Sequence, residues 1–435
     1  MEGRFVLPLQ KFIGMGDNME IKRDIHLNRL ISRKNNRMIK VVTGVRRCGK
    51  SYLLFELFCN HLKEQGVDDR HIIRVDLEDR RNELLRDPDT LLQYIDSRFV
   101  DTDMHYILLD EVQLVREFED VLNSFLKVKN ADVYVTGSNA RFLSKDVITE
   151  FRGRGDEVRI APLSFSEFMS VRSGNRDDLL NEYMTYGGLP QVVLTENENA
   201  KAEYLKNVFT HTYLRDIKER YGIRRDGDIE DLMDIIASNL GTLTNPTRIE
   251  NTFRSVKHST ITKDTIKSYL DMLQDSFLVN KSLRYDIKGR RYIDTPSKYY
   301  FEDTGLRNAR LGFRQTEFPH LLENVVYNEL RLRGFSVDVG QVEITGRTED
   351  GNRKRSLLEV DFVCNKGYRR YYIQTALAMP DAEKTNQELN PLRKIEDGFQ
   401  KFVILGSPTP KYQNGEGITI MNIFDFLLHP DSLSV

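Results

Sequence analysis

"GVRRCGKS", residues 44 to 51, has the glycines, lysine and hydroxyl needed to grip a phosphate chain, at the spacing G-x-x-x-x-G-K-[ST]. Gly44 and Gly49 let the backbone curl until its N–H groups, and those opening the next helix, face phosphate oxygens. Lys50 would reach the β and γ phosphates, and the Ser51 hydroxyl would ligate Mg²⁺. A β-rich run, "IKVVT", precedes the octet and a helical run, "YLLFELF", follows it, which is the setting the motif requires. The expected ATP contacts are Gly44, Val45, Arg46, Arg47, Cys48, Gly49, Lys50, Ser51 and Tyr52. Arg46, Arg47 and Cys48 fill unconstrained positions and read as exposed loop residues, with the Cys48 thiol open to oxidation beside phosphate-binding amides.

A second chemical set lies in "HYILLDEVQ". Four apolar residues, Tyr106 to Leu109, make a buried strand from whose C-terminal end Asp110 and Glu111 emerge. Asp110 would join Ser51 in holding magnesium, and Glu111 would polarise the attacking water. "VYVTGSN" is a further strand; Ser138 or Asn139 at its end would orient that water or sense the γ-phosphate, although a turn-forming Asn explains the same residue. Arg152 and Arg154 in "FRGRG" are candidates for the cation that completes phosphoryl transfer, reaching into a neighbouring subunit, or are plain surface arginines.

A third set lies near the other end of the chain. Glu323 falls on a helix, "FPHLLENVVYNELRLRG", Asp361 on the strand "LLEVDFVC" and Gln374 on the strand "YYIQTALAM". Three such oxygens brought together would ligate one Mg²⁺. The arrangement resembles the hairpin of PD-(D/E)xK nucleases, in which the second strand carries Glu or Gln, any residue, then Lys. Here Ala376 stands in the place of that Lys. Lys366 or Lys384 would have to fold back to supply the cation, so the stretch reads as a degenerate nuclease fold kept as an interaction or nucleic-acid-binding platform.

The elements that position these residues follow from pattern. With 435 residues, 40% apolar and 30% charged, the chain can fill two to four domains. No run nears the roughly 18 apolar residues of a membrane span, and the first twenty residues hold only a five-residue apolar stretch, too short for an export signal. Three scattered cysteines suit a reducing compartment, so the expected location is cytoplasmic. A net charge of -2 excludes a wholly basic nucleic-acid coat. The first half alternates β-rich and helical runs, implying a parallel sheet with helices on both faces. From 166 to 240 the pattern is mostly helical, broken at "YGGLP", and reads as a lid or connector.

Residues 241 to 305 read as helix, turn, helix and hairpin, the layout of a winged helix. Between Gly241 and Tyr300 eleven Lys or Arg face six Asp or Glu. Lys263 and Lys267 on the second helix, with Lys288, Arg290 and Arg291 at the wing tip, are the candidate DNA contacts. Winged helices also dock proteins, and Asp264, Asp271 and Asp275 on that helix would repel DNA.

"IKVVTGVRRCGKSYLL", "YILLDEVQ", "VTGSNARFLS", "FRGRG", "PLSFSEF", "YGGLP" and "YLRDI" together resemble prokaryotic AAA-type ATPases related to the archaeal ATPase group, from about Met19 to the chain end. The resemblance implies ATP and Mg²⁺ as cofactors, Lys50, Ser51, Asp110 and Glu111 in the roles above, Asn139 as sensor and Arg154 as arginine finger. It also implies an appended winged helix and nuclease-like fold, and either rings or monomers. The expected division is an extension at 1–18, a P-loop core at 19–165, the lid at 166–240, the winged helix at 241–305 and an α+β restriction-endonuclease-like domain at 306–435. ATP hydrolysis driving a conformational change near DNA is the leading function; a DNA-associated or protein-docking switch set by ATP occupancy, and an ATP-dependent nuclease, are the rivals.

Overall fold

The computed structural model describes residues 21–137, 153–223, 226–257, 260–314, 317–347 and 353–434. Five strands, β1 (Ile39–Gly44), β2 (Ile72–Asp76), β3 (His105–Asp110), β4 (Ala131–Thr136) and β5 (Gly155–Ile160), form one sheet in the order β2-β3-β4-β1-β5. Every pairing is parallel. β1 and β3 are buried along their whole length because helices cover both faces. Val41, Val75, Leu109 and Val135 pack on one side with the Pro88–Asp96 and Phe118–Phe125 helices, while Val42, Leu108 and Tyr134 pack on the other with the helical run 50–64.

A second sheet has eight strands in the order β12-β13-β11-β10-β9-β8-β6-β7. They are β6 (Val279–Asp286), β7 (Arg291–Phe301), β8 (Ser336–Arg347), β9 (Arg353–Lys366), β10 (Arg369–Ala376), β11 (Gln400–Leu405), β12 (Tyr412–Gln413) and β13 (Ile418–Asn422). The Phe318–Leu332 helix packs its Leu322, Val326 and Leu330 on one face with Phe362 and Ile373. The Ala382–Arg393 helix packs Leu389 and Leu392 on the other with Val363, Tyr372 and Ala376.

The helices Pro246–Thr252 and Lys263–Asp275 precede the β6–β7 hairpin, in the order read from the sequence. That hairpin, however, is the edge of the eight-stranded sheet, with β6 paired in parallel to β8 at Arg284↔Val339. The division expected at residue 305 therefore cuts one continuous sheet. Sequence pattern could not reveal this, because the β6–β8 pairing joins residues some fifty positions apart.

The two sheets are joined tightly. Gly188 N donates to Asp303 Oδ2 across 2.7 Å, and a Cβ on Gly188 would fall on the Leu163 carbonyl, so "YGGLP" marks close backbone approach as well as a turn. Arg159, on edge strand β5, donates to Glu302 at 2.6 Å and to Asn280 at 2.9 Å, at the start of the second sheet. Among the described residues no helix is long and apolar enough to cross a membrane.

Candidate functional site

The phosphate-type loop joins β1 to the helical run 50–64. Gly44 (φ 146°) and Gly49 (φ 98°) both occupy backbone that L side chains avoid, and a Cβ on Gly44 would meet the Ile160 carbonyl. Lys50 is buried and donates to the carbonyls of Gly44 and Val45, each at 3.2 Å, so its ammonium lies within the curl of the loop.

The sheet order delivers the rest. β4 lies between β1 and β3, with Val42↔Thr136 and Leu109↔Val135 in register, so Gly44, Asp110 and Thr136 share the C-terminal edge. Thr136 Oγ1 hydrogen-bonds Asp110 Oδ1 and accepts from Glu111 N at 3.0 Å. The Ser51 hydroxyl lies near enough to Asp110 to favour its charged form. Burial pushes Asp110 up to about 6; the Thr136 hydrogen bond and the Ser51 hydroxyl oppose this, and the charges of Glu111 and Asp76 reinforce it. Glu111 holds a left-handed backbone, φ 52°, an uncommon conformation for a non-glycine residue. Ser51 and Asp110 thus form an adjoining pair of hard oxygen ligands, the donor set Mg²⁺ takes.

Of the neighbouring loop residues Arg47 is exposed as expected, while Arg46 and Cys48 are not. Arg46 is not free: it pairs with Asp216 and, at 3.6 Å, with Glu78, while its carbonyl accepts from Tyr213 OH at 2.6 Å. This ties the loop to the helical segment carrying "YLRDI". Cys48 is fully buried with Sγ 3.6 Å from the Ile160 carbonyl, and burial raises its pKa, so the expected oxidation-sensitive thiol is instead a protonated core residue. Arg47 approaches Tyr204 OH at 3.4 Å, Val45 is buried, and Tyr52 is partly exposed at the helix start.

Arg154 lies at the far edge. Ile39, the first residue of β1, donates its N–H to Arg154 O, and Ile39↔Gly155 are in register. Five residues of strand, about 17 Å, separate it from Gly44. It cannot serve the phosphates on its own loop. Ser138, Asn139, Arg152 and the extension at 1–18 lie outside the described residues.

The third set is rearranged. Lys298 on β7, only 2% exposed, donates to Glu323 Oε1 at 2.8 Å and pairs with Glu359 Oε1 at 2.7 Å. Tyr300 OH also donates to Glu323 Oε1, at 2.6 Å. Burial alone would lower the Lys298 pKa, but the carboxylates of Glu323, Asp361 and Glu359 outweigh it and raise it. A β-bulge aims Asp361 here: Asp338 pairs Val363 and Gly340 pairs Val360, so Asp361 and Phe362 together oppose Val339. Asp361 Oδ2 accepts from Thr375 N at 2.8 Å and Thr375 Oγ1 at 2.7 Å, and burial, with the Glu323 charge, pushes it up to about 7.

Two expectations are corrected. Gln374 does not offer a free oxygen to a cation, because its Oε1 accepts from Asp361 N and its Nε2 donates to Glu388, both within 3.3 Å. Ala376 does not face the acidic cluster; it packs with Tyr372, Leu389 and Leu392, where an ammonium would be buried among apolar groups. Neither Lys366, bonded to Arg333 O at 2.7 Å, nor Lys384, paired with Glu388 at 2.6 Å, replaces it. Lys298 supplies the internal cation. Among the described residues the one group of three His, Cys, Asp or Glu with ligand atoms within 4.8 Å is His71, Asp101 and His105. Both ring nitrogens of His105 are already bonded, to Asp103 O at 2.8 Å and Val100 N at 3.2 Å.

Of the candidate DNA contacts, Lys263 and Lys267 are exposed on their helix; Lys288 pairs with Glu396 at 3.9 Å and Arg291 with Asp286 at 3.4 Å.

A parallel five-stranded sheet with a glycine-curled loop after β1 and an Asp–Glu pair at the end of β3 defines an AAA-type P-loop NTPase fold, and residues 36–169 match the AAA domain family. Residues 177–317 match a domain of unknown function, DUF8612. The chain belongs to the same family as an uncharacterized protein of Haemophilus influenzae, 34% identical over 416 residues that cover 94% of this chain and 98% of that one. An uncharacterized protein of Methanocaldococcus jannaschii is 28% identical over 419 residues, 89% of this chain and 90% of the other. Among solved structures it is similar to a Walker-type ATPase of Pyrococcus abyssi, at a TM-score of 0.47 and 15% identity over 67% of this chain and 96% of that one. It is also similar to the Aeropyrum pernix Orc1 protein in complex with DNA, at 0.30 and 12% over 68% and 93%.

Proposed function

We propose that the chain binds and hydrolyses ATP with Mg²⁺ and passes the resulting change in loop geometry to its C-terminal sheet, acting on or near DNA. The observation that carries this is the Thr136–Asp110 hydrogen bond, with Ser51 beside it, standing at the same sheet edge as Lys50. Ser51 and Asp110 are the residues that would hold Mg²⁺, which when bound supplies positive charge to the phosphates. Lys50 turns from its loop carbonyls to the phosphate chain. Glu111 orients water at the loop mouth, its backbone N–H donating to Thr136 Oγ1 and its carboxylate accepting from Gln113 Nε2.

Two contacts suggest the relay. Arg46 links the loop to Asp216, and Arg159 links β5, which is paired to β1, to Glu302 and Asn280. The Arg46 tether also favours the second reading, in which ATP occupancy alone sets the switch, since it couples the loop to the connector without any need for turnover. Exposed cations at Lys263, Lys267 and Arg290 are the proposed DNA contacts. ATPase rate with and without duplex DNA, alongside particle mass in each nucleotide state, tests the reading: a rate unchanged by Lys50→Ala refutes hydrolysis at this loop, and a rate indifferent to DNA refutes the coupling. The Glu323–Asp361 cluster is assigned a structural role, because Lys298 already occupies it.

A further inference from the structure

A cleft of about 450 Å³ opens on the second sheet, far from any residue assigned so far to ATP. The β6–β7 turn gives it Arg290, the β9–β10 turn gives Tyr368, β10 gives Arg369 and Arg370, and the segment before β11 gives Asp397 and Phe399. Its volume is within the roughly 300 to 1,000 Å³ of sites that bind small groups.

Three features of the cleft are chemical. First, it is cationic: among the described residues Arg290, Arg369 and Arg370 form no ion pair, and the one acid, Asp397, is engaged by Tyr372 OH at 2.5 Å. Second, it is aromatic at the rim: Tyr368 is 87% exposed and Phe399 41%. Third, one guanidinium is held in place. Arg370 lies 5.1 Å from the Tyr285 ring and 5.4 Å from the Phe399 ring, with Nε bonded to Asn365 Oδ1 at 2.8 Å. The exposed Tyr368 and Phe399 rings are stacking surfaces for an unpaired base, and Arg290 and Arg369, the latter 5.6 Å from the Tyr368 ring, suit the flanking phosphates.

We propose that this cleft binds single-stranded nucleic acid, one unpaired base stacking on its rings while Arg290 and Arg369 take the adjoining phosphates. A duplex keeps its base faces stacked and offers the cleft only phosphate. An acidic peptide would satisfy the arginines without using the exposed faces of Tyr368 and Phe399. The site goes beyond the duplex contacts above, sharing Arg290 with them, and uses no part of the ATP loop, so it is tested without nucleotide and its failure says nothing about ATP.

The test is fluorescence anisotropy of the full chain with labelled oligo-dT, oligo-U and a duplex, each of about twenty nucleotides, with polyglutamate as competitor. Single strands are expected to bind at least tenfold more tightly than duplex, and the tighter of oligo-dT and oligo-U identifies DNA or RNA. Tyr368→Ala should weaken the single-strand complex by roughly tenfold or more, Tyr368→Phe should preserve it, and Arg369→Ala should flatten its salt dependence. These side chains are exposed at a turn, so the variants keep the fold. Equal affinity for duplex, displacement by polyglutamate at matched charge, or unchanged binding by Tyr368→Ala overturns the proposal.

Discussion

Lys298 donates to Glu323 across 2.8 Å, joining the edge strand of the second sheet to the helix that packs against its centre. The ammonium sits among three carboxylates, Glu323, Glu359 and Asp361, and is nearly sealed from water. Breaking a buried pair from one side leaves uncompensated charge, at a cost of about 3 to 5 kcal/mol. Lys298→Met should therefore lower unfolding free energy by about that much in urea titration, and adding Glu323→Gln should restore part of it. Full stability in the single variant would show that the cluster carries no such strain.

The same contact predicts chemistry. With its cation supplied internally and the Gln374 oxygen engaged, the cluster should cleave neither DNA nor RNA when Mg²⁺ is added. Cleavage abolished by both Asp361→Ala and Lys298→Ala would instead make Lys298 a working catalytic group displaced from position 376.

Thr136 is expected to position Asp110 without touching nucleotide itself. Thr136→Val removes one hydroxyl from the pair, and losing such a supporting partner typically costs about 10- to 100-fold. The fall should appear in kcat for ATP hydrolysis, with a smaller change in nucleotide affinity. An equal loss in both would place Thr136 in the binding contact instead.

Asp303 caps the Thr304–Arg310 helix and accepts from Gly188 N, and burial pushes its carboxyl up to about 6. A raised carboxyl pKa stabilises the fold below the unfolded value and loses that contribution as pH climbs through the folded one. The stability of the wild type over Asp303→Asn should thus shrink by about 1 kcal/mol between pH 5 and pH 7. A difference that grows over that window would mean the carboxylate is stabilised in its charged form.

Sequence pattern made the loop plain because its chemistry is local: strand, glycines, lysine and helix are contiguous from Ile39 to Phe58. Asp110 was legible for a similar reason, standing at the end of an apolar run. Thr136 was not, since its role comes from β4 lying between β1 and β3, and strand order is not written along the chain. Its only sign along the chain is the end of "VYVTG", which the polar Ser138 and Asn139 follow. Nothing along the chain singles out Lys298 from the other cations of its stretch, because period-two alternation assigns a face but not what that face meets. Ala376 looked like a lost catalytic residue for the same reason; the bulge at Asp361 and Phe362 shifts β9 so that Thr375, its neighbour on β10, meets the acid instead.

The most direct test of the account is calorimetric titration of the intact chain with ATP and Mg²⁺, beside Lys50→Ala with its fold verified by circular dichroism. Saturable heat at one nucleotide per chain for the wild type, and none for the variant, is the predicted result. No heat from the wild type, or the same heat from both proteins, would contradict it.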